Sequence, residues 1–334
     1  MPGVRQRGEE IRDFILLNIT ENRNIAALTS KNFEITLPAV YKHIDKLVSD
    51  KQIIKKAGRY VLQSKQNKYT YKIDETRSED AVWEKDIKKH FYDVPENVNR
   101  IWSYGFLEMF NNALEHSKGK IIRVIVHVNK INISVSISDD GIGIFKNIKS
   151  TYKLLDERDA LLELVKGKRT TDKTRHSGQG IFFTSKMFDD FFIASDNIIF
   201  NVSPEKSGDM QTGRIKYSTF VYMRIANNSN KTTKGIFDEF STESPGDFDK
   251  TNVPIRLANS NDLVSRSQAR RVLSGLELFK EVILDFHDIE YIGQAFADEI
   301  FRVFPNMNPD TLITAVNANT DVQNMINRAV NTKL

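Results

Sequence analysis

Cysteine is absent from the 334-residue chain, which excludes disulfides, thiolate zinc sites and a cysteine nucleophile. No apolar run reaches about 18 residues, so a membrane-spanning helix is not expected. The opening MPGVRQRGEEIRDF lacks the apolar stretch of a secretory signal. Histidine is sparse: His43, His90, His116, His127, His176 and His287 are scattered without metal-ligand spacing. Internal repeats and low-complexity tracts are missing too. What remains, 40% hydrophobic and 28% charged residues, describes a globular chain long enough for two or three domains. A cytoplasmic protein is the default expectation.

The net charge of +4 conceals an asymmetry. Residues 1–72 hold 14 Lys and Arg against 7 Asp and Glu, a surplus of +7 that leaves the remainder at −3. A polyanionic partner is therefore expected at the N-terminal end. Residues 7–62 read as three helices and a hairpin. RGEEIRDFILLNI, NIAALTSKNF and TLPAVYKHIDKLVSDK supply the helices, with Thr36 as cap and Pro38 in the first turn of the third. On that third helix Val40, Ile44 and Leu47 face a core, and Ala39, Lys42, His43 and Lys46 face outward. QIIKKAGRYVLQ then gives two short strands around Ala57-Gly58.

This order resembles a winged helix-turn-helix. The resemblance implies a domain over residues 1–72 that contacts DNA through Thr36, Ala39, Lys42, His43 and Lys46 of its recognition helix and Arg59 of its wing. A small helical protein-interaction domain is the alternative. Residues 63–77, QSKQNKYTYKIDETR, read as a polar connection, with 73–77 as the linker proper.

The segment FLEMFNNALEHS, residues 106–117, sets Phe106, Met109, Phe110, Ala113 and Leu114 on one helical side. Glu108, Asn111, Asn112, Glu115 and His116 occupy the other. Paired asparagines suit a helix interior poorly, because their amides compete for backbone hydrogen bonds. The runs IIRVIVHV and INISVSIS follow as a hairpin about Asn129-Lys130, with Ile131, Ile133, Val135 and Ile137 on one face. The hairpin ends in DDGIGIF; after a polar stretch, RHSGQGIFFTSKMF opens a helix from a glycine-rich turn. DFFIASD, NIIFNVS and YSTFVYMRIA read as further strands.

Each of these motifs is weak alone; their order and spacing resemble the GHKL ATPase superfamily, over about residues 78–232. That resemblance implies a Bergerat-fold α/β sandwich, a mixed sheet with helices on one face, binding ATP and Mg²⁺. Glu108 then matches the carboxylate that orients or deprotonates an attacking water, and Asn112 the magnesium ligand. Asp139 matches the acceptor of the adenine amino group, and Gly141 and Gly143 the loop that approaches the base. Gly178 and Gly180 match the second glycine box, and Thr219 the threonine of the last box. KGKRTTDKTRHSGQG corresponds to a lid whose Lys168, Arg169, Lys173 and Arg175 could meet phosphates. His116 matches a motif position, with a structural hydrogen bond as the other reading.

From about residue 233 the pattern changes, with a helix near 265–280. VILDFHDIEYIGQAFADEIFRVF resembles the strand-loop-helix of STAS domains, over about residues 250–330 within a unit spanning 233–334. Where switch members of that family carry a phosphorylated serine, this chain has Gln294 and Ala295, and neither accepts a phosphate. The expected whole is an α+β multidomain protein. Its first functional reading is a Mg²⁺-dependent, slowly hydrolysing ATPase whose nucleotide state modulates DNA binding. A protein serine/threonine kinase or anti-sigma-like factor acting on another chain is the second, with the STAS-like domain docking a protein partner. A non-enzymatic nucleotide-sensing scaffold is the third, and homodimerisation is compatible with each.

Overall fold

The computed structural model describes residues 4–331 apart from 23, 77, 169–178, 203–208, 214, 244–246 and 259–262. It begins with α1 (Val4–Asn18), α2 (Ile25–Phe33) and α3 (Leu37–Ser49), then the hairpin β1 (Ile53–Lys56) and β2 (Arg59–Leu62). Local chemistry sets these boundaries. Asn24 accepts from the Ala27 N–H to cap α2, and Pro38 occupies the first turn of α3. Val40, Ile44 and Leu47 are buried against Ile11, Ile15 and Leu16, as their spacing predicts. This small core is separate from the one that fills the rest of the chain.

Residues 65–72 depart from the expected connection. They form β3 (Lys65–Lys72), an edge strand antiparallel to β4 (Ile121–Val128). Their polar composition hides an alternation: Tyr71 turns inward onto Phe110, ring centroids 5.4 Å apart, while Lys68, Thr70 and Lys72 stay exposed. The sheet continues with β5 (Asn132–Asp139), β6 (Asp190–Ser195), β7 (Ile198–Val202), β8 (Asp209–Thr212) and β9 (Thr219–Ala226), in the order β3-β4-β5-β9-β6-β7-β8. Every pairing is antiparallel, where a mixed sheet is expected; hairpins join β4 to β5 and β6 to β7, and a hairpin can only reverse direction. Ile131 also departs from expectation. Asn129 Oδ1 accepts from the Ile131 and Asn132 N–H groups, turning Ile131 out of the strand and onto the N-terminal core.

Short α4 (Glu79–Val82) precedes α5 (Glu96–Asn111), which packs with α8 (Gly180–Met187) over one sheet face. The polar stretch after β5 contains two helices that periodicity does not announce, α6 (Ile144–Tyr152) and α7 (Glu157–Lys166). In α7 the charged Glu163 and Lys166 are buried as a pair, which masks its apolar face. Then come α9 (Thr233–Glu239), β10 (Lys250–Pro254), α10 (Arg266–Leu273), β11 (Glu281–Asp285), α11 (Gln294–Asp298), α12 (Phe304–Met307), β12 (Leu312–Val316) and α13 (Thr320–Asn331). Their three strands form a parallel sheet, β10-β11-β12, with Val282 and Leu284 of the central strand fully buried. Phenylalanines close the join to the larger sheet: Phe182 meets Phe248 at 4.7 Å, and Phe248 meets Phe279 at 5.2 Å. The architecture is thus mixed α and β with several sheets. Among the described residues no helix is long and apolar enough to cross a membrane.

Candidate functional site

The buried side of α5 is Ile101, Trp102, Phe106, Met109 and Phe110. Glu108, Asn111 and Asn112 lie half-buried on the other side. At Asn112 the helix widens into a single π turn, Asn112–His116, a distortion that collects at functional sites. Among the described residues the Asn112 amide has no hydrogen-bond partner. A Cβ on Gly180 would overlap the Glu108 carboxylate, so glycine is what lets that carboxylate lie against the first turn of α8. There the positive end of the helix stabilises a negative charge. Burial, with the Glu108 charge adding to it, pushes the neighbouring Tyr104 phenol up.

At the end of β5, Asp139 is 3% exposed. Its Oδ1 accepts the Gly141 N–H at 2.9 Å. Thr219 stands directly across in the β5–β9 register, where its side chain favours the charged form of Asp139, and its Oγ1 accepts the Ile144 N–H at 3.2 Å. Burial nevertheless pushes the Asp139 carboxyl above the usual carboxylate range, and the Asp140 charge pushes the same way. Asp140 itself is turned toward β4, accepting from the Lys120 and Ile121 N–H groups at 2.8 and 2.9 Å.

The glycines fix where this loop sits. A Cβ on Gly141 would overlap the Ser117 carbonyl, the same oxygen that accepts the Ile142 N–H at 2.8 Å. Gly143 takes φ +89°, and a Cβ there would lie 2.7 Å from Ser195 Oγ and 2.8 Å from Asp196 Oδ2. Ser117 directly follows the π turn. The Asp139 loop therefore abuts the end of the helix that carries Glu108 and Asn112. Asn147 Nδ2 donates to the His116 carbonyl at 3.3 Å, and Lys146 pairs with Asp196. Sequence reasoning passes over Ser117, Asn147, Ser195 and Asp196, because only cross-chain contacts give them a role.

Gly178, Arg169, Lys173 and Arg175 fall outside the described residues. Lys168 turns toward the C-terminal unit: its Nζ donates to the Leu278 carbonyl at 2.6 Å and sits 4.3 Å from the Phe279 ring centroid. Burial lowers its pKa, against the opposing charges of Asp249 and Asp247. A small cavity lined by Leu164, Phe182, Lys186, Phe200 and Pro254 includes none of the expected site residues.

On the N-terminal unit, Thr36, Lys42 and Arg59 are exposed and Ala39 is half-buried. Lys46 Nζ is held by Asp50 at 2.8 Å. His43 leans toward Gly8 and Arg12 of α1, and its pKa is lowered by burial and by the Arg12 charge. The outward set of α3 is thus less uniform than its spacing implies.

In the C-terminal unit, Asp285 ends the central strand and its Oδ1 accepts from the His287 N–H at 3.0 Å and Asn317 Nδ2 at 2.9 Å. Gln294 and Ala295 open α11. No curated protein matches the chain. Residues 268–323 match the model of one family, described as a STAS-like domain of unknown function (DUF4325). The stretch from α10 into α13 is therefore a STAS-like domain.

Proposed function

We propose that the chain is an ATP-binding regulator, hydrolysing ATP slowly with Mg²⁺, whose nucleotide state modulates DNA binding by an N-terminal winged helix. The reading starts from the GHKL-like motif order over residues 78–232. One observation carries it further: Asp139 accepts the Gly141 N–H and faces Thr219 across the sheet, on a glycine loop that abuts the helix bearing Glu108 and Asn112. A carboxyl buried at a cost gains when a donor such as the adenine amino group reaches it. Asn112 offers an unpartnered amide oxygen, the hard ligand type that Mg²⁺ takes. Among the described residues no three His, Asp or Glu side chains group to hold a metal, so an ion here would draw on phosphate and water oxygens. Glu108 would orient or deprotonate an attacking water; Gly178 and Gly180 would offer backbone N–H groups to phosphates.

Lys168 links this site to the STAS-like domain, because turning to a phosphate means leaving the Leu278 carbonyl. A coupling of about 1–3 kcal/mol would change DNA affinity by roughly 5–150-fold. Calorimetry should detect ATP binding that needs Mg²⁺, and DNA affinity should differ between nucleotide-free, ADP and non-hydrolysable ATP states. Absence of ATP heat rejects the site; equal DNA affinities reject the coupling. A second reading, a protein kinase or anti-sigma-like factor, draws on the STAS-like domain, a protein-interaction type of module. Gln294 and Ala295 accept no phosphate, so this reading requires a labelled acceptor on another chain after incubation with labelled ATP and lysate.

A further inference from the structure

The larger sheet has a second face, turned away from α5 and α8. Strand register places a column of small residues along it: Ser134, Ser136 and Ser138 of β5. Arg123, Ile125 and His127 of β4 stand on one side of the column, and Phe220, Tyr222 and Arg224 of β9 on the other. The result is a trough with a floor of hydroxyls. Ser134 and Ser138 are 8% and 6% exposed, yet among the described residues none of the three hydroxyls has a hydrogen-bond partner. They are not among the fully enclosed unsatisfied polar atoms either, so they open into the trough.

The β9 wall is aromatic and continues outward. Phe192 of β6 stacks on Tyr222 at 5.1 Å and on Phe220 at 5.6 Å, and Phe220 on Tyr217 at 5.7 Å, all within 25° of parallel. Neither hydrophobic core includes Ile125, Phe192, Phe220 or Tyr222. Three cations frame the trough. Arg224 is paired with Asp190 and Arg123 lies within the field of Asp140, whereas Lys68 has no carboxylate partner among the described residues. At its Ser134 end the trough meets the N-terminal unit, where Ile131 packs into that unit's core and residues 1–72 carry the surplus of +7.

We propose that this face binds single-stranded RNA. Parallel aromatic rings on an open sheet give bases a stacking surface, and the cations beside them attract phosphates. The serine column favours ribose, since a hydroxyl both donates to and accepts from the 2′-OH that distinguishes RNA from DNA. A protein partner would find the apolar wall divided from Ile125 by that polar column. Ser138 and Phe220 adjoin Asp139 and Thr219 along their strands, but successive strand residues face opposite sides of the sheet, so the trough lies on the other face from the proposed ATP site and needs no nucleotide.

The test is fluorescence anisotropy of a labelled single-stranded oligoribonucleotide with the full chain, without ATP. Tyr222→Ala should weaken binding by about 5–150-fold, the worth of one stacked base, and Tyr222→Phe should restore it. Arg123→Ala, at a position that supports no core, should also weaken binding and make it less salt-dependent. Ser136→Val should reduce the preference for RNA over DNA of the same sequence. The proposal is overturned if the chain does not bind the RNA, if Tyr222→Ala and Arg123→Ala both bind as tightly as the parent, or if DNA binds equally well. Light scattering adds one more such outcome: loss of a dimer in Tyr222→Ala would make the face a protein interface.

Discussion

A carboxyl buried for a ligand opposes folding while the ligand is away. Asp139 has a folded-state pKa above the ordinary 3.8, so the folded protein holds this proton more tightly than the unfolded chain. Its penalty is absent below about pH 3.8, grows as pH rises through the folded value, and is complete above it. Asp139→Asn should therefore raise the thermal midpoint at neutral pH, with the gain vanishing in acid. The same variant should lose ATP heat in calorimetry; a variant that binds ATP normally would remove Asp139 from the site. Glu108→Ala should spare binding and abolish phosphate release, and equal turnover in both proteins would reject Glu108 as the base. Such residues are legible because their motif carries them: Asp139, Gly141 and Gly143 stand in a fixed order after a strand. Ser117 and Asp196 carry no such signal, since both are defined by what folds against the glycines.

At the scale of elements, α5 and α8 hold the site together by close approach. A Cβ on Gly105 would overlap the Phe188 ring and lie 3.3 Å from Thr184 Cγ2. Gly105→Ala should therefore separate the two helices, at about 1–3 kcal/mol in urea unfolding, with weaker nucleotide binding; full stability would show that α8 can yield. The amphipathic face of α5 and the alternation of β5 are readable from spacing alone, because each buries one side against one partner. β3, α6 and α7 are not. Their polar residues are tolerated by an edge position in β3 and by the Lys166–Glu163 pair in α7, and neither circumstance is local to the sequence.

At the scale of the whole molecule, a buried lysine helps to fasten the STAS-like domain to the central unit. Lys166, 2% exposed, donates to Glu163 Oε1 at 2.8 Å and to the Arg271 and Ser274 carbonyls at 3.0 and 2.8 Å. Thr251 closes the same join by donating to the Lys166 carbonyl at 3.1 Å. Lys166→Met should cost about 3–5 kcal/mol, because it removes the buried positive charge that faces Glu163. Adding Glu163→Leu should recover most of that loss, and equal instability in single and double variants would refute the account. Residues 82–329 share one hydrophobic core while residues 11–53 hold another, so calorimetry should resolve a small transition from a large one. The chain's own order of residues determined the helices of the N-terminal unit, the β4–β5 hairpin, the carboxylate-and-amide face of α5 and the STAS-like strand-loop-helix, because periodicity, caps and turns act over a few neighbours. Only the tertiary structure decided that β3 joins the sheet, that Lys168 faces Leu278, and that the glycine loop rests on Ser117, because those positions depend on partners from 25 to 110 residues away, or on an alternation that a polar composition conceals.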